Sequence, residues 1–385
     1  MFTLGQYLFS LDDPRGLTRT LGELDVCRDG QGRPLYTSGN SAVIFRIRHE
    51  GRIRALRCFL RPMSHLREIY GDRLLERELY LYTDSGKGVW TDVVLSDWIE
   101  GVSLRQAVEE AVRTRDTERL RFLSESFDRL AADLVADDRA HGDLKPENII
   151  VATDGTLRMI DFDAMFLPAF AGSRSPELGT ASYQHPARTA RDFDASLDDY
   201  PAALISTALQ ALRLDPTLLD RYGDRDGLIF DPPHIARDPA LHEVLELFEQ
   251  AGLALPYRIA RLLLAPLPAL PELAGLLRWQ VTPARAPETC PELLFRMGRC
   301  GFCTPERTVI PFVYDNGFDF TEGLAAVRIG RTWHYIDTAG RPVIHCPGCE
   351  AVKPFRNGRA VVVRKGVRSE IDRSGAPTDP VLKNF

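Results

Sequence analysis

The chain has 385 residues, of which 44% are hydrophobic and 26% charged, and its formal net charge is −6. This length allows two or three domains, each large enough to bury a hydrophobic core. The negative charge argues against general affinity for nucleic acid or anionic membranes. The sequence contains no apolar stretch of about 18 residues, so it predicts no membrane span.

The N-terminal residues lack a basic start and soon reach Asp12 and Asp13, which is not typical of a secretory signal. Seven cysteines, an odd number in a long chain, fit a reducing compartment better than a disulfide framework. We therefore expect a cytoplasmic protein.

The first hundred residues predict strands and one helix. Residues 35–46 (LYTSGNSAVIFR) have the pattern of two strands joined by a tight turn, and residues 54–59 (RALRCF) predict another strand. Residues 72–82 (DRLLERELYLY) predict a helix. Apolar side chains recur there at helical spacing, at Leu74, Leu75, Leu79 and Tyr82.

The central part of the chain carries the most informative motifs. Residues 103–139 have apolar residues at helical spacing and predict core helices. Residues 141–150 (HGDLKPENII) follow, and residues 160–163 (IDFD) come ten residues later. These two stretches resemble the catalytic loop and the metal-binding motif of the protein kinase family, in order and separation. A surface loop with scattered charges is the alternative, but two matched motifs rarely arise by chance.

The kinase resemblance implies a role for each polar residue of the two motifs. Asp143 would accept the proton of the substrate hydroxyl, and Lys145 would neutralise charge on the transferring phosphate. Asn148 and Asp161 would hold Mg²⁺ against the oxygens of ATP. Phosphoryl transfer needs little covalent chemistry from the protein, so positioned charges of this kind are what the reaction requires.

The resemblance also implies a nucleotide site on the preceding strands. Gly39 would let backbone N–H groups approach the phosphates, although an ordinary hairpin explains this glycine equally well. Ile44 and Ala55 would lie near the adenine. Arg57 occupies the place of the family's phosphate-binding lysine, and this exchange is not conservative because a guanidinium is planar and has a different reach.

Two further groups complete the implied nucleotide site. Glu78, in the predicted helix, would pair with Arg57, although Glu76 or a solvated side chain are alternatives. Residues 93–104 (VVLSDWIEGVSL) resemble the hinge between two lobes, where the backbone near Asp97 and Ile99 would bind the adenine edge.

Several positions depart from the family pattern. Gly142 replaces the arginine that clamps a phosphorylated activation loop. Asp163 replaces a glycine and either tunes metal binding or faces solvent. Residues 178–186 (LGTASYQHP) resemble the end of the activation segment, and Ala187 follows where the family has glutamate. Asp198 is the candidate anchor of the catalytic-loop backbone, with a simple helix N-cap as the alternative.

The last hundred residues contain an internal repeat. Residues 320–328 (FTEGLAAVR) are echoed by residues 355–363 (FRNGRAVVV), a displacement of 35 residues. Residues 335–344 (YIDTAGRPVI) are echoed by residues 370–375 (EIDRSG). The pattern resembles WG repeats, which are short hairpins with Asp-x-x-Gly turns, although the Trp-Gly pair has become Trp333-His334.

Two Cys-x-x-Cys pairs lie in the same region. Cys300 with Cys303 and Cys346 with Cys349 could form a tetrahedral Zn²⁺ site if inter-repeat turns bring them together. Reduced, partly buried thiols are the alternative. The region is also locally basic between residues 353 and 368, which fits either a solvated face or an acidic partner.

These features together predict an α+β chain with a bilobal kinase-like fold and a C-terminal β-rich repeat module. The expected domains are a small lobe over residues 1–98, a large lobe over 99–284 and the repeat module over 285–385. We expect a bacterial, cytoplasmic Ser/Thr-type protein kinase that uses ATP and Mg²⁺ and binds a protein partner through its repeats.

Three alternatives stay open at the level of sequence. The chain could be a pseudokinase, a nucleotide-responsive scaffold in which Arg57 does not support transfer. It could modify a small molecule or attach a nucleotide, because a fold does not fix the acceptor. The repeats could also carry the main biological role, with the kinase-like part regulating them.

Overall fold

The computed structural model describes residues 1–39, 41–83, 87–223 and 227–378. Helices and several β-sheets occur in one chain, with a β-rich C-terminal region, so the mixed α and β class is confirmed. The chain divides into two compact units, Met1–Val102 with Ala152–Met165, and Ser103–Val151 with the chain from Phe166 onward. None of the described helices combines the length and the apolar character needed to cross a membrane.

The first unit is built on a six-stranded antiparallel sheet in the order β1-β3-β4-β6-β5, with β2 also paired to β3. Its strands are β1 (Asp25–Val26), β2 (Tyr36–Ser38), β3 (Ala42–His49), β4 (Arg52–Phe59), β5 (Leu74–Tyr82) and β6 (Gly88–Asp97). Its helices are α1 (Leu4–Asp12) and α2 (Leu66–Tyr70).

One face of this sheet forms the core of the first unit. Phe45, Leu56 and other alternating apolar residues pack with Tyr7 and Leu11 of α1 in a single buried cluster. Because side chains alternate between faces along a strand, the neighbouring residues of β3 and β4 belong to the opposite face. That opposite face carries the residues expected at the nucleotide.

The helix predicted over residues 72–82 is wrong, because residues 74–82 form strand β5. The pairing of β5 with β6 shifts register between Leu75 and Leu79, and Arg77 lies in between with a φ of 49°. A bulge of this kind inserts extra residues between two side chains that both reach the core. The resulting spacing of apolar residues imitates a helical turn in the sequence.

The second unit contains the longer helices. They are α3 (Leu104–Arg113), α4 (Thr117–Leu134), α5 (Asp199–Leu214), α6 (Thr217–Tyr222), α7 (Pro239–Ala251), α8 (Ala254–Leu262) and α9 (Leu273–Val281). Helices α3 and α4 confirm the helices predicted over residues 103–139. Helix α5 is buried over nearly its whole length, and the buried carboxylate of Asp128 on α4 accepts hydrogen bonds from Ser206 and Gln210 of α5.

Three short strands lie at or near the points in the sequence where the chain passes from one unit to the other. They are β7 (Gly101–Ser103), β8 (Ile149–Ala152) and β9 (Leu157–Met159). A 3₁₀ turn over Pro146–Asn148 leads into β8 and closes the predicted catalytic loop.

The C-terminal region of the second unit consists of three small antiparallel sheets, ordered β10-β11-β12, β13-β14-β15-β16 and β17-β18-β19. Their strands are β10 (Glu292–Arg296), β11 (Arg299–Cys303), β12 (Thr308–Tyr314), β13 (Asn316–Gly317), β14 (Ala325–Ile329), β15 (Thr332–Ile336), β16 (Pro342–Cys346), β17 (Ala351–Val352), β18 (Arg359–Arg364) and β19 (Val367–Asp372). The sequence indicated only the last two sheets as repeats.

The backbone conformation repeats with the same spacing of 35 residues that the sequence shows. Glu322 and Asn357 both have a φ of 52°, and Gly323 and Gly358, which follow them, have φ values of 78° and 74°. Two successive residues with positive φ make a tight turn that few sequences adopt without glycine. The same unusual turn at equivalent positions identifies the two segments as structural repeats.

The predicted Asp-x-x-Gly turns are also present. The carboxylate of Asp337 accepts the N–H groups of Ala339 and Arg341, each at 2.9 Å. Asp372 makes the equivalent turn one repeat later, and Gly340 and Gly375, the last residues of the two motifs, both have a φ of 82°. An aspartate that caps its own turn explains why this residue type recurs at a fixed offset.

The sheet β13-β14-β15-β16 is fixed to helix α7 through Glu249. The carboxylate of Glu249 accepts the N–H of Arg331 at 2.7 Å and the hydroxyl of Thr332 at 2.9 Å. Its backbone carbonyl lies 2.9 Å from Nε2 of His334, which is fully buried. His334 therefore uses the position of the repeat's usual glycine to attach the repeat to the helix.

Candidate active site

Asp143 of the predicted catalytic loop lies in the second unit, where three groups hold its carboxylate. Its Oδ1 accepts the backbone N–H of Thr180 at 2.6 Å. Its Oδ2 accepts the amide of Asn148 at 3.2 Å and pairs with Nζ of Lys145 at 2.9 Å. The sequence motif therefore folds into a loop in which Asp143, Lys145 and Asn148 converge.

Thr180 connects this loop to the predicted activation segment. Besides its backbone bond to Asp143, its hydroxyl accepts a hydrogen bond from Nζ of Lys145 at 2.8 Å. Sequence reasoning missed Thr180, although it placed the surrounding residues 178–186 in the substrate-docking segment.

Gly179 allows this close approach. Its φ is 71°, and a Cβ at this position would lie 2.8 Å from the carbonyl oxygen of Gly142 and 3.1 Å from Oδ1 of Asp143. Both the backbone conformation and the space exclude any side chain. In the sequence, the contact between Thr180 and Asp143 could have been predicted only from the glycine that directly precedes Thr180.

Asp198 anchors the backbone of the catalytic loop, as predicted. Its buried carboxylate accepts the N–H of Gly142 at 3.0 Å and also the N–H of His141. It occupies the N-cap position of α5 but makes no side-chain capping bond to that helix, so its carboxylate serves the loop and not the helix end. Burial raises the pKa of Asp198, while His141 and the two N–H groups act in the opposite direction.

Arg188 supports the same loop from the segment that resembles an activation segment. Its Nη1 donates to the carbonyl of Gly142 at 3.1 Å and to the side chain of Gln184. Burial lowers the pKa of Arg188, while the charges of Asp198 and Asp143 oppose this shift. The residue follows Ala187, where the kinase resemblance expects glutamate, and it was not predicted as a site residue.

In the first unit, the strand register brings three predicted nucleotide residues onto one face. Ile44 lies opposite Arg57, and Ala55 lies opposite Arg46, in the pairing of β3 with β4. Residues two apart on a strand share a face, so Ile44, Ala55 and Arg57 lie together. This face is opposite to the one that packs on α1.

Arg57 is held by two carboxylates of the predicted metal-binding motif. Its Nη2 donates to Asp161 at 2.6 Å and forms a short ion pair with Asp163. Arg57 faces Oδ2 of Asp163, and the hydroxyl of Ser41 donates to the same oxygen at 2.7 Å. Oδ1 of Asp163 accepts the hydroxyl of Tyr70 at 2.6 Å. Asp163 is only 4% exposed, so the alternative that it faces solvent is wrong.

The electrostatics of this cluster follow from burial and charge. Burial by itself lowers the pKa of Arg57, because it disfavours the charged guanidinium. The interactions with Tyr70, Asp161 and Asp163 have the larger combined effect and raise the pKa above its usual value. Burial also raises the pKa of Tyr70, so its hydroxyl stays protonated and donates to Asp163. Arg57 is therefore a fixed cation.

Glu78 does not pair with Arg57. Its carboxylate accepts the backbone N–H groups of Arg19, Thr20 and Leu21 at 3.0, 2.8 and 2.8 Å, and the hydroxyl of Thr20 at 2.6 Å. The prediction was wrong because Glu78 belongs to a strand and not to the helix that follows β4. Glu76 is exposed and pairs with Arg67 at 2.8 Å.

The remaining predicted nucleotide residues lie in and near the same sheet. Gly39 precedes β3, and a Cβ there would meet only the carbonyl oxygen of Ala42 at 3.8 Å, so local packing does not require glycine. Its neighbour Asn40 lies outside the described residues. Asp97 ends β6 with an exposed side chain near Arg54, and Ile99 follows the strand.

The oxygen atoms expected at a metal are available in each motif. Asn148 uses Nδ2 to donate to the carbonyl of Asp143 at 2.9 Å, which leaves Oδ1 as its acceptor atom. Asp161 receives Arg57 on Oδ1, which leaves Oδ2, and its φ of 68° is uncommon outside glycine. Such backbone outliers concentrate at functional sites, and oxygen ligands of this kind suit Mg²⁺.

The four candidate zinc ligands fall into two different settings. Cys300 and Cys303 lie within strand β11, so the prediction of an inter-repeat turn is wrong for them. Cys346 and Cys349 flank a turn, and the hydrogen bond between their thiols lowers the pKa of Cys349 to about 7 and raises that of Cys346. Over the ranges that the structure describes, no three His, Cys, Asp or Glu side chains form a metal-binding group. Zinc binding stays a prediction.

Comparison with known protein families identifies the C-terminal region. A family model described as WG containing repeat matches residues 306–333 and 335–366. The predicted WG repeats are thus confirmed, and the match begins before the first repeat that the sequence indicated. A search of curated proteins found no match to the chain.

Proposed function

We propose that this protein is an ATP- and Mg²⁺-dependent kinase of the Ser/Thr type with a bilobal kinase-like fold, which phosphorylates a hydroxyl acceptor. The observation that carries this proposal is the placement of Asp143 by Thr180, Asn148 and Lys145. A general base must be held in a fixed orientation toward its substrate, and these three contacts supply that orientation.

The roles of the loop residues follow from their contacts. Asp143 takes the proton of the acceptor hydroxyl. Lys145 lies beside Asp143 and Thr180, where its charge neutralises negative charge that develops near the base. Asp198 keeps the loop backbone in place through the N–H groups of His141 and Gly142.

The donor set fits Mg²⁺ and ATP. When bound, these groups supply the transferable phosphoryl and the divalent charge that offsets its oxygens. Oδ1 of Asn148 and Oδ2 of Asp161 are the atoms that would hold the metal. Arg57 would contribute a fixed positive charge to phosphate binding, as its exchange for lysine leaves the sign of the charge unchanged.

The test is turnover of ATP in the full chain and in Asp143→Asn. We expect phosphate transfer to fall by about a hundredfold or more when the base is lost, while ATP binding persists. Asp133→Asn, an exposed change on helix α4, is the matched control and keeps wild-type turnover. Equal turnover in Asp143→Asn and the control would reject the assignment.

Intact-mass measurement also identifies the class of acceptor and the group that is transferred. Intact-mass measurement of the protein, of protein acceptors and of small hydroxyl compounds after reaction distinguishes a phosphoryl from a much heavier nucleotidyl group. A phosphoryl on Ser or Thr of a protein agrees with the proposal, whereas a nucleotidyl product or a modified small molecule supports the alternative enzyme classes.

The second candidate is a nucleotide-responsive scaffold, and the double ion pair of Arg57 favours it. A guanidinium bound to both Asp161 and Asp163 has fewer donors left for phosphates. This candidate predicts that ATP raises the melting temperature without turnover, and that Arg57→Lys restores transfer. Turnover by the wild-type chain excludes it.

We further propose that the WG repeats bind a protein partner and that the protein works in the cytoplasm. The family match to residues 306–333 and 335–366 supports the first point.

A further inference from the structure

A groove of about 730 Å³ lies within the second unit, where the helices meet the first of the C-terminal sheets. Its walls are the start of α8, the end of α9 with the segment that follows it, and strand β12. The volume is in the range typical of binding clefts. None of the residues expected in phosphoryl transfer lines it.

The charged residues that line the groove are all positive. They are Arg278 on α9, Arg285 in the following segment and Arg307 before β12, and all three are exposed. Neither aspartate nor glutamate occurs among the described lining residues. This is notable in a chain with a formal net charge of −6.

These three arginines have no counter-ion within the part of the chain that the structure describes. Their neighbours differ, since Arg258 on α8 pairs with Glu272 at 3.4 Å and Arg299 on β11 pairs with Asp315. A group of unpaired guanidinium ions beside paired ones leaves donors that suit carboxylates.

The rest of the lining is largely apolar. Trp279, Leu255, Val309 and Pro311 are partly buried and line the groove between the arginines. Arginine and tryptophan are the residue types that contribute most to protein interfaces, especially beside apolar pockets. A ligand therefore needs both negative charges and apolar side chains.

Strand β12 indicates the shape of the ligand. It is the end strand of the sheet β10-β11-β12, and most of its residues line the groove. An extended segment can follow such a strand over several residues. Pro311 has no N–H, so it interrupts the exposed edge and favours recognition through side chains over extension of the sheet.

We propose that this groove binds an extended acidic segment of a partner protein, in which carboxylates alternate with leucine or aromatic residues. The carboxylates pair with Arg278, Arg285 and Arg307, and the apolar side chains pack on Trp279 and Leu255. The lining favours a peptide over nucleic acid, because three arginines among apolar side chains do not form the continuous basic track that phosphates require.

The test uses the full chain and a fluorescein-labelled peptide of about ten residues in which Asp and Glu alternate with Leu and Phe. Fluorescence anisotropy measures its Kd, and the Asn/Gln version of the same peptide tests the charge. We expect each of Arg278→Glu, Arg285→Glu and Arg307→Glu to weaken binding about tenfold, and Leu255→Ser to weaken it about threefold. Arg129→Glu and Arg237→Glu, exposed arginines away from the groove, are the matched controls and leave the Kd unchanged.

Each contrary outcome overturns the proposal. It is wrong if the acidic peptide does not bind the wild-type chain, or if the Asn/Gln peptide binds equally well. It is also wrong if charge reversal in the groove has no more effect than in the controls. Tighter binding of a single-stranded oligonucleotide, lost in the same three variants, would assign the groove to nucleic acid instead.

Discussion

The buried carboxylate of Asp163 forms an ion pair with the guanidinium of Arg57. The kinase resemblance matches Asp163 to a glycine of that family and Arg57 to a lysine. The pair connects these two departures, because the carboxylate that the resemblance expected from Glu78 is supplied by Asp163. Under the proposed kinase function, the two exchanges would form one compensated change.

Removal of the Asp163 charge should destabilise the first unit. Asp163→Asn leaves a buried guanidinium with a single carboxylate partner, which we expect to cost about 2–4 kcal/mol in the free energy of unfolding. Asp97→Asn removes the exposed partner of Arg54 on the same sheet and should cost less than about 1 kcal/mol. Urea denaturation measures both values, and similar losses in the two variants would contradict the buried ion pair.

Glu78 should behave as a structural residue and not as a nucleotide ligand. Glu78→Ala leaves three backbone N–H groups near residues 19–21 without their acceptor, so we expect a loss of about 2–4 kcal/mol in stability. The Kd for ATP should stay unchanged below the melting temperature. Glu76→Ala, an exposed change on the same strand, is the control. A large loss of ATP affinity in a still folded Glu78→Ala protein would restore the original prediction.

Gly179 should be intolerant of any side chain. Gly179→Ala introduces a Cβ 2.8 Å from the carbonyl oxygen of Gly142 at a φ of 71°, so the contact between Thr180 and Asp143 should be lost together with activity. Gly172→Ala has a φ of 83° but open space around its Cβ, and should cost only about 1–2 kcal/mol in stability. Equal activity in the two variants would show that the close approach is not required.

Stability should depend on pH through Asp199. Burial raises the pKa of this carboxyl to about 7, although its Oδ2 accepts the N–H of Leu270 at 2.7 Å. The folded state then keeps a proton that the unfolded chain releases near pH 4, so stability falls as pH rises from about 4 to about 7. The fall should amount to a few kcal/mol.

Asp199→Asn keeps the hydrogen bond but cannot ionise. Urea denaturation at pH 5 and pH 8 should therefore show a smaller fall in stability for this variant than for the wild type. An unchanged pH dependence would assign the effect to another group.

An acid-sensitive contact should exist at His334. Burial and the neighbouring His345 lower the pKa of His334 to about 4, so the unfolded chain takes up a proton near pH 6.5 that the folded chain does not. Stability should accordingly fall as pH drops from about 6.5 to about 4. His334→Gln, which can still donate to the carbonyl of Glu249, should flatten this part of the curve; a fall as steep as in the wild type would contradict the assignment.

The sequence predicted those parts of the protein in which a short pattern has one structural solution. The loop anchor Asp198 and the turns at Asp337 and Asp372 were found, because a carboxylate at a fixed offset from its N–H partners leaves a local signal. The helices α3 and α4 were found from their apolar spacing.

Other features depend on contacts between distant segments, and these were missed or misassigned. The bulge at Arg77 gave a strand the spacing of a helix, and Glu78 was assigned to the wrong partner as a result. The contacts of Thr180 with Asp143 and of Tyr70 with Asp163 join residues far apart in the chain, so no local pattern could show them. Cys300 and Cys303 were placed at an inter-repeat turn, yet they lie in a strand.

The attachment of the repeats at Glu249 has a practical consequence for dissecting the protein. A chain cut near residue 285 would lose every donor that the carboxylate and carbonyl of Glu249 receive from Arg331, Thr332 and His334. The shortened protein would then lack these contacts at the end of helix α7, where the N–H of Gly252 still reaches the carbonyl of Glu249. Any loss of activity would therefore mix damage to the helices with loss of the repeats. Point changes on the outer surface of the repeats separate the two contributions where truncation cannot.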